Sequence, residues 1–268
     1  MDKFNFVTKP TTSAHQAEAK IRQALQPLTT DDSFVIAVGG DGTMLQAVKQ
    51  YLHQDVIFIG VSAGSLGLLQ TVNLDQLEPL AHAIANKGYE LIRAPLLVAA
   101  FCEARTENAK EDELKDLIGY GFNDISVERQ DSRAAKFKLK VDTSSGNFVG
   151  DGVIFSTPLG STAYSLAAGG PIIDSEIQDT FVVTPNNPHI SNLHSSLYRP
   201  HVLSKSRKIR IESIDIDRPL QVSIDGQIAA RDVRGPLHIS LSTKTVHILQ
   251  LEKDSLSRQI EEKRLGRL

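Results

Sequence analysis

The apolar run Phe34-Val35-Ile36-Ala37-Val38 stops at Gly39-Gly40, and Asp41-Gly42-Thr43 then leads into a helix-like pattern. A run with no polar alternation suits a strand covered on both faces, as in a parallel sheet. Glycines at its end let backbone N–H groups approach a phosphate closely, and a helix N-terminus adds partial positive charge there. This strand–glycine–helix junction points to an α/β unit whose ligand sits at the carboxyl ends of the strands. The aspartate inside it needs a reason, because a carboxylate repels phosphates. Asp41 fits if it takes a proton, holds a metal ion, or both.

The surrounding pattern repeats the unit. Phe4, Phe6 and Val7 suggest a first strand. Ser13 with Gln16 reads as a capping box ahead of a helix bearing Ala17, Ile21 and Leu25. Leu45, Val48 and Leu52 mark the helix after the glycine loop. Residues 55–61, DVIFIGV, read as another buried strand, ending in a second glycine loop at Gly60, Gly64 and Gly67. Leu77, Leu80, Ala81 and Ile84 mark a further helix with Lys87-Gly88 as its stop. The expected fold is a Rossmann-like, doubly wound α/β domain over residues 1–95.

The texture changes at Pro95. FKLKVD (137–142) and KIRIE (208–212) alternate apolar with charged residues, as antiparallel strands with one wet face do. LLVAAFCEA (96–104), LQVSID (220–225) and VHILQL (246–251) add further strand signals, so a β-rich domain is expected over 96–251. The charged run 105–116 reads as a solvated hairpin tip. Residues 254–265, with Leu256, Ile260 and Leu265 on one face, read as a terminal helix. Residues 252–268 are assigned to the first domain.

A formal net charge of -3 gives no footprint for nucleic acid, and the single Cys102, in an apolar run, reads as an inert thiol. The N-terminal MDKFNFVTK carries no apolar signal region, and no window is long and apolar enough to span a bilayer. A cytoplasmic protein without a membrane partner is expected. No G-x-x-x-x-G-K-[ST] occurs, the G-x-G-x-x-G fingerprint fails at Leu45, and no Cys/His spacing suits zinc. A Ser-His-Asp hydrolase is set aside as well.

The second dense signal is Gly150 to Pro171, GDGVIFSTPLGSTAYSLAAGGP. A short strand enters a hydroxyl-rich turn and then a short helix from Thr162, stopped by Gly-Gly-Pro. Ser156, Thr157, Ser161 and Thr162 are candidate donors to phosphate or sugar oxygens. Asp151, flanked by glycines, favours a binding site over a plain turn.

With GGDGT at 39–43, Gly64-Ser65-Leu66-Gly67, Asn123-Asp124 and STPLGSTAYSLAAGGP at 156–171, the sequence closely resembles the NAD kinase family. GGDGT alone is shared with diacylglycerol and sphingosine kinases; the 156–171 block is far more specific. The resemblance implies a two-domain phosphotransferase acting on the adenosine-ribose 2′-hydroxyl of NAD, with an α/β first domain and a β-sandwich second. It implies ATP or polyphosphate as donor, a divalent metal (Mg²⁺ or Mn²⁺), a chain end returning to the first domain, and a homotetramer or homodimer.

By position, Asp41 matches the general base, and Gly39, Gly40, Gly42 and Thr43 would wrap the phosphates. Asn123 and Asp124 match adenine or ribose contacts. Asp151, Thr162, Ala163, Tyr164, Ser165 and Ala167 match the dinucleotide grip, and Gln227 a further substrate contact. For Asp225-Gly226 alone, a plain hairpin turn explains as much. The sequence departs from the family's pattern at Asp124, where glutamate is usual, at Leu68 in place of phenylalanine, and at Val149, often basic. The rival functions are a lipid or sugar-phosphate kinase sharing the cradle, and a non-catalytic dinucleotide sensor.

Overall fold

The computed structural model describes residues 3–63, 67–102, 111, 114, 116–174, 176–190, 197–213, 215 and 217–252. Gly64 to Leu66, most of the charged run and the expected terminal helix at 254–265 lie outside them. The chain divides into two compact units. One comprises the residues up to Ala94 and those from Val246, the other Pro95–Thr245.

In the first unit, β1 (Phe4–Thr8), β2 (Phe34–Gly39) and β3 (Ile57–Ser62) pair in parallel in that order. The end of the chain's last strand, Leu237–Gln250, joins β3 through His247 and Ile248, also in parallel. The chain therefore returns to this unit as a strand. Among the described residues it carries three α-helices, α1 (Thr12–Leu25), α2 (Asp41–Tyr51) and α3 (Leu77–Asn86). Every residue of β2 is buried. Phe34, Ile36 and Val38 share one cluster with Ala14, Ala17, Ile21 and Leu25 of α1 and Leu80 and Ile84 of α3. Val35 and Ala37 point the other way, as strand alternation requires, and α2 packs against β1, β2 and β3.

Local details differ from the sequence expectation. The N-cap of α1 is Thr11, whose hydroxyl accepts from the Ala14 N–H at 3.3 Å, so Ser13 and Gln16 form no capping box. The cap lies two residues earlier because a β-region Thr11 can cap and Ser13 is already helical. The buried face of α2 is Thr43, Met44, Ala47 and Val48; Leu45 and Leu52 are half-buried. At the end of α3 the left-handed residue is Lys87, with φ 51°, and Gly88 follows it to bond Ala83 O.

The second unit is a pair of facing sheets. In the first sheet, β4 (Glu90–Phe101) pairs with β5 (Asp116–Gly121) through its part from Leu97, and β7 (Ala135–Val141) pairs with β8 (Ser144–Gly150). The other sheet contains β6 (Asp124–Arg129), β9 (Gly152–Ser156), β10 (Thr180–Asn186) and β11 (His201–Ser204) in the order β11-β10-β9-β6. Between β9 and β10 lies α4 (Tyr164–Ala167), a single turn. Strand β12 (Lys208–Ser213) runs between β7 and the opening part of the last strand, β15. The β6 edge is extended by the hairpin β13 (Leu220–Ile224) and β14 (Gln227–Val233). All of these pairs are antiparallel.

Alternate residues of both sheets fill the core: Phe137, Leu139, Ile209, Ile211 and Ile239 against Ile125, Val127, Phe155, Phe181 and Val222. Phe137 and Phe148 stack at 4.7 Å between centroids. Burying each such side chain is worth about 1.5–3 kcal/mol, which fixes the register of strands whose other face is charged.

Candidate active site

In the first unit, Gly40 is the N-cap of α2 and Asp41 its first residue, where an acidic side chain suits the helix dipole. The carboxylate does not face an empty cradle. It is gripped by the segment after β3: Leu69 N–H donates to Oδ1 at 2.8 Å and Leu68 N–H to Oδ2 at 3.1 Å. Each oxygen accepts one of these bonds and keeps a lone pair.

The glycines divide the work. A Cβ on Gly39 would stand 3.0 Å from Thr43 Cβ and 3.1 Å from Lys9 Cβ, so only glycine lets β2 run this close to the helix. Gly40 and Gly42 face open space, leaving their backbone reachable by a ligand. Gly67 is required for a different reason, because its α-carbon abuts Asp41 and the Gln70 side chain. Thr43 is buried at the base of the loop.

The second unit gathers most of the other candidates. Asn123 precedes β6 and Asp124 opens it. The turn after β9 closes on Asn123: Thr157 N–H bonds Asn123 O at 2.9 Å, and a side chain at Gly160 would overlap the Asn123 backbone. The hydroxyls expected to meet a ligand are spent on this turn instead. Thr157 bonds Phe122 O, Ser161 bonds Pro158 O, Thr162 bonds Leu159 O, and Ser156 bonds Thr157 O. Hydroxyls withdrawn from water must find partners, and here backbone carbonyls of the turn and of Phe122 supply them. Ser165 is likewise buried and bonded to Thr184 Oγ1 at 2.8 Å. What the turn offers outward is Tyr164 and Ala167, both exposed, with Thr162 and Ala163 half-buried.

Asp225 locks this arrangement. Its carboxylate accepts the backbone N–H groups of Phe122 (3.0 Å), Asn123 (2.7 Å) and Asp124 (3.2 Å). Its own N–H bonds Asp124 O. With φ 48° at Asp225 and 74° at Gly226, the β13–β14 hairpin has the two left-handed residues of a type I′ turn. It is a hairpin turn, and it also clamps the candidate Asn123–Asp124 pair.

Asp124 is 5% exposed. Burial, with the carboxylates of Asp225 and Glu128 nearby, pushes its pKa up to about 7, against one bond from the Tyr164 N–H. Tyr164 donates its hydroxyl to Glu128 Oε1 at 2.6 Å, and Asn186 donates to both. Burial and Glu128 raise the phenol in turn.

The sign of the Asp124 effect is the reverse of a salt-bridged carboxylate's. An unfolded aspartate titrates near about 4. Between that pH and about 7 the folded state holds the extra proton, so stability falls as pH rises through the window. Asp124→Asn should therefore gain in melting temperature over wild type as pH goes from 5 to about 8. Parallel melting curves across that range would refute this.

Asp151, following β8, pairs with Arg129 Nε at 2.7 Å and accepts from Asn187 Nδ2 at 3.1 Å. A cation beside Asp151 is thus supplied by β6, although position 149 is a buried valine. Gln227 opens β14 and is exposed. Sequence reasoning read Asp225-Gly226 only as a hairpin turn and passed over Glu128, Arg129 and the Leu68 and Leu69 amides.

Among the described residues, no three His, Cys, Asp or Glu side chains gather so as to hold a metal ion. Asp41, whose oxygens each keep a lone pair, would be at most a single ligand to a divalent metal here. One spacing favours the hydrolase that the sequence reading set aside: Gly60-Val61-Ser62-Ala63-Gly64 is a G-x-S-x-G. Ser62, however, is the buried last residue of β3, and its N–H is bonded to Val72 O, so it is not displayed on a strand-to-helix elbow.

Residues 2–89 match the family model of the ATP-NAD kinase N-terminal domain, and residues 123–251 that of the ATP-NAD kinase C-terminal domain. The NAD kinase of Sulfurimonas denitrificans is 32% identical over 243 residues, covering 90% of this chain and 80% of that protein. That of Caldicellulosiruptor saccharolyticus is 31% identical, covering 86% and 82%. Yeast NADH kinase, solved with NADH, shares the fold at a TM-score of 0.80 and 20% identity, covering 98% of this chain and 87% of that one. An NAD kinase from Archaeoglobus fulgidus, solved with ATP, gives 0.71 at 22% identity, covering 97% and 96%. With two family models covering most of its length in the right order, the chain belongs to the NAD kinase family.

Proposed function

We propose that this chain transfers the γ-phosphoryl group of ATP to the 2′-hydroxyl of the adenosine ribose of NAD, giving NADP and ADP. The observation that carries the reading is the Asp41 carboxylate, oriented by the Leu68 and Leu69 amides beside the open glycines at the start of α2. Asp41 takes the proton of the 2′-hydroxyl as the oxygen attacks phosphorus, an effect worth about 10²–10⁴-fold. The bare backbone at Gly40 and Gly42 and the N-terminus of α2 receive the phosphates. Asn123, Asp124, Asp151, the 162–167 turn and Gln227 bind NAD.

A neutral Asp124 can donate a hydrogen bond to a ribose or base acceptor, and an ionised one can accept. The divalent metal enters as the counter-ion of the ATP phosphates, part of the donor. The family resemblance further supports a cytoplasmic homo-oligomer, a dimer or tetramer, which light scattering on the purified protein would test.

Incubation of the purified protein with NAD, ATP and Mg²⁺, read by an NADP-specific dehydrogenase, should give steady NADP formation. NAD binding without any NADP would favour a sensor. Phosphorylation of diacylglycerol instead would favour the lipid kinase.

A further inference from the structure

Next to Asp41 lies a side chain that finds no hydrogen-bond partner among the described residues. Gln70 is 0% exposed, and neither its Oε1 nor its Nε2 makes a hydrogen bond among the described residues. A buried amide without partners is a standing cost that packing alone would remove by an apolar residue of the same length. The backbone that carries Gln70 is also held in place. A Cβ on Gly60 would stand 2.9 Å from Gln70 Cα, so strand β3 lies directly against the backbone there. On either side, Val72 N–H bonds Gly60 O at 3.0 Å and Thr71 Oγ1 bonds Leu249 O at 2.6 Å.

Its direction is informative. Gln70 Oε1 and Asp41 Oδ1 crowd the same point over the Gly67 α-carbon, where a side chain would otherwise begin. Both are acceptor oxygens, and no hydrogen bond joins them. The Leu68 and Leu69 N–H groups that hold the carboxylate are donors, so neither can accept a hydrogen bond from the acid form. The missing element is a proton, and the reaction assigned to Asp41 delivers one.

We propose that Gln70 is a positioning residue for Asp41: its side-chain carbonyl accepts a hydrogen bond from the carboxyl group once Asp41 has taken the substrate's proton. The proton passes from the 2′-hydroxyl to the carboxylate as the O–P bond forms and the bond to ADP breaks. It stays on Asp41, and the Gln70 oxygen holds the resulting O–H. The contact exists only as the proton moves, so it favours the transition state over the bound substrates. This rests on Asp41 being the general base.

The test compares wild type, Gln70→Met, Gln70→Leu and Asp41→Asn in the coupled NADP assay, with melting temperatures. The apolar variants should lower kcat about 10–100-fold, with KM for NAD and ATP within about twofold of wild type. They should melt within about 3 °C of wild type or higher, since an orphaned polar group has been removed. Melting lowered beyond that in both variants would mean that the amide is bonded within the fold, and would overturn the proposal. So would an unchanged kcat, or a loss confined to KM. If Asp41→Asn is inactive while the Gln70 variants keep full kcat, only the role of Gln70 fails. If Asp41→Asn itself remains active, the base assignment fails and this inference with it.

Discussion

Asp41→Asn is expected to lower kcat about 10²–10⁴-fold while NAD still binds, because the amide cannot take the proton of the 2′-hydroxyl. The structure adds a second consequence. Asn offers one acceptor oxygen where Asp41 offers two, and its NH₂ must face either the Leu68 or the Leu69 N–H. One backbone donor is then left facing another donor, so the variant should also lose about 1–3 kcal/mol of stability. Activity must therefore be read below the variant's melting transition. Calorimetric titration with NAD, beside the kinetic assay, separates the effects: retained binding with lost turnover supports the base role. Near-wild-type turnover in the folded variant would sink it.

The second large effect is expected at a residue outside the proposed chemistry. Asp225→Ala removes the acceptor of three backbone N–H groups, those of Phe122, Asn123 and Asp124. Each buried donor left without a partner costs about 1–3 kcal/mol, so the loss should approach the stability margin of an ordinary domain. It should also release the segment carrying Asn123, and NAD affinity should fall at least about tenfold even where the protein is still folded. Asp225→Asn is the milder control, keeping one acceptor oxygen and the turn's tolerance for a left-handed residue. It also removes one of the carboxylates near Asp124, although burial, the larger cause of its raised pKa, remains. Thermal unfolding and NAD titration of both variants provide the measurement. If Asp225→Ala melts and binds like wild type, the three bonds do not hold the segment.

Both effects start from residues visible in the chain but depend on partners far along it. The strand–glycine–helix unit at 34–43 is readable because its causes are local. An unbroken apolar run, glycines where β2 meets α2, and a helical period all act within a few residues. The same holds for KIRIE, whose alternation over 208–212 lies within β12, Lys208–Ser213. Strand β6, with Asp124, Glu128 and Arg129, gives little local signal. Its residues are chosen by what lies across from them: Ile125 and Val127 face the core, while Glu128 meets Tyr164 and Arg129 meets Asp151.

By itself the sequence determined the two-part architecture, the glycine cradle and the family, since these follow from local periodicity and from short motifs kept in order. Tertiary structure alone decided what the motif residues do. It turned four of the 156–162 hydroxyls inward to build a turn and made a hairpin aspartate the anchor of Asn123. It set the Asp41 carboxylate between two amides 27 and 28 residues away, beside a buried glutamine with no hydrogen-bond partner among the described residues. Hydrogen-bond partners and desolvation depend on which distant segments meet. A single segment's pattern does not encode that meeting.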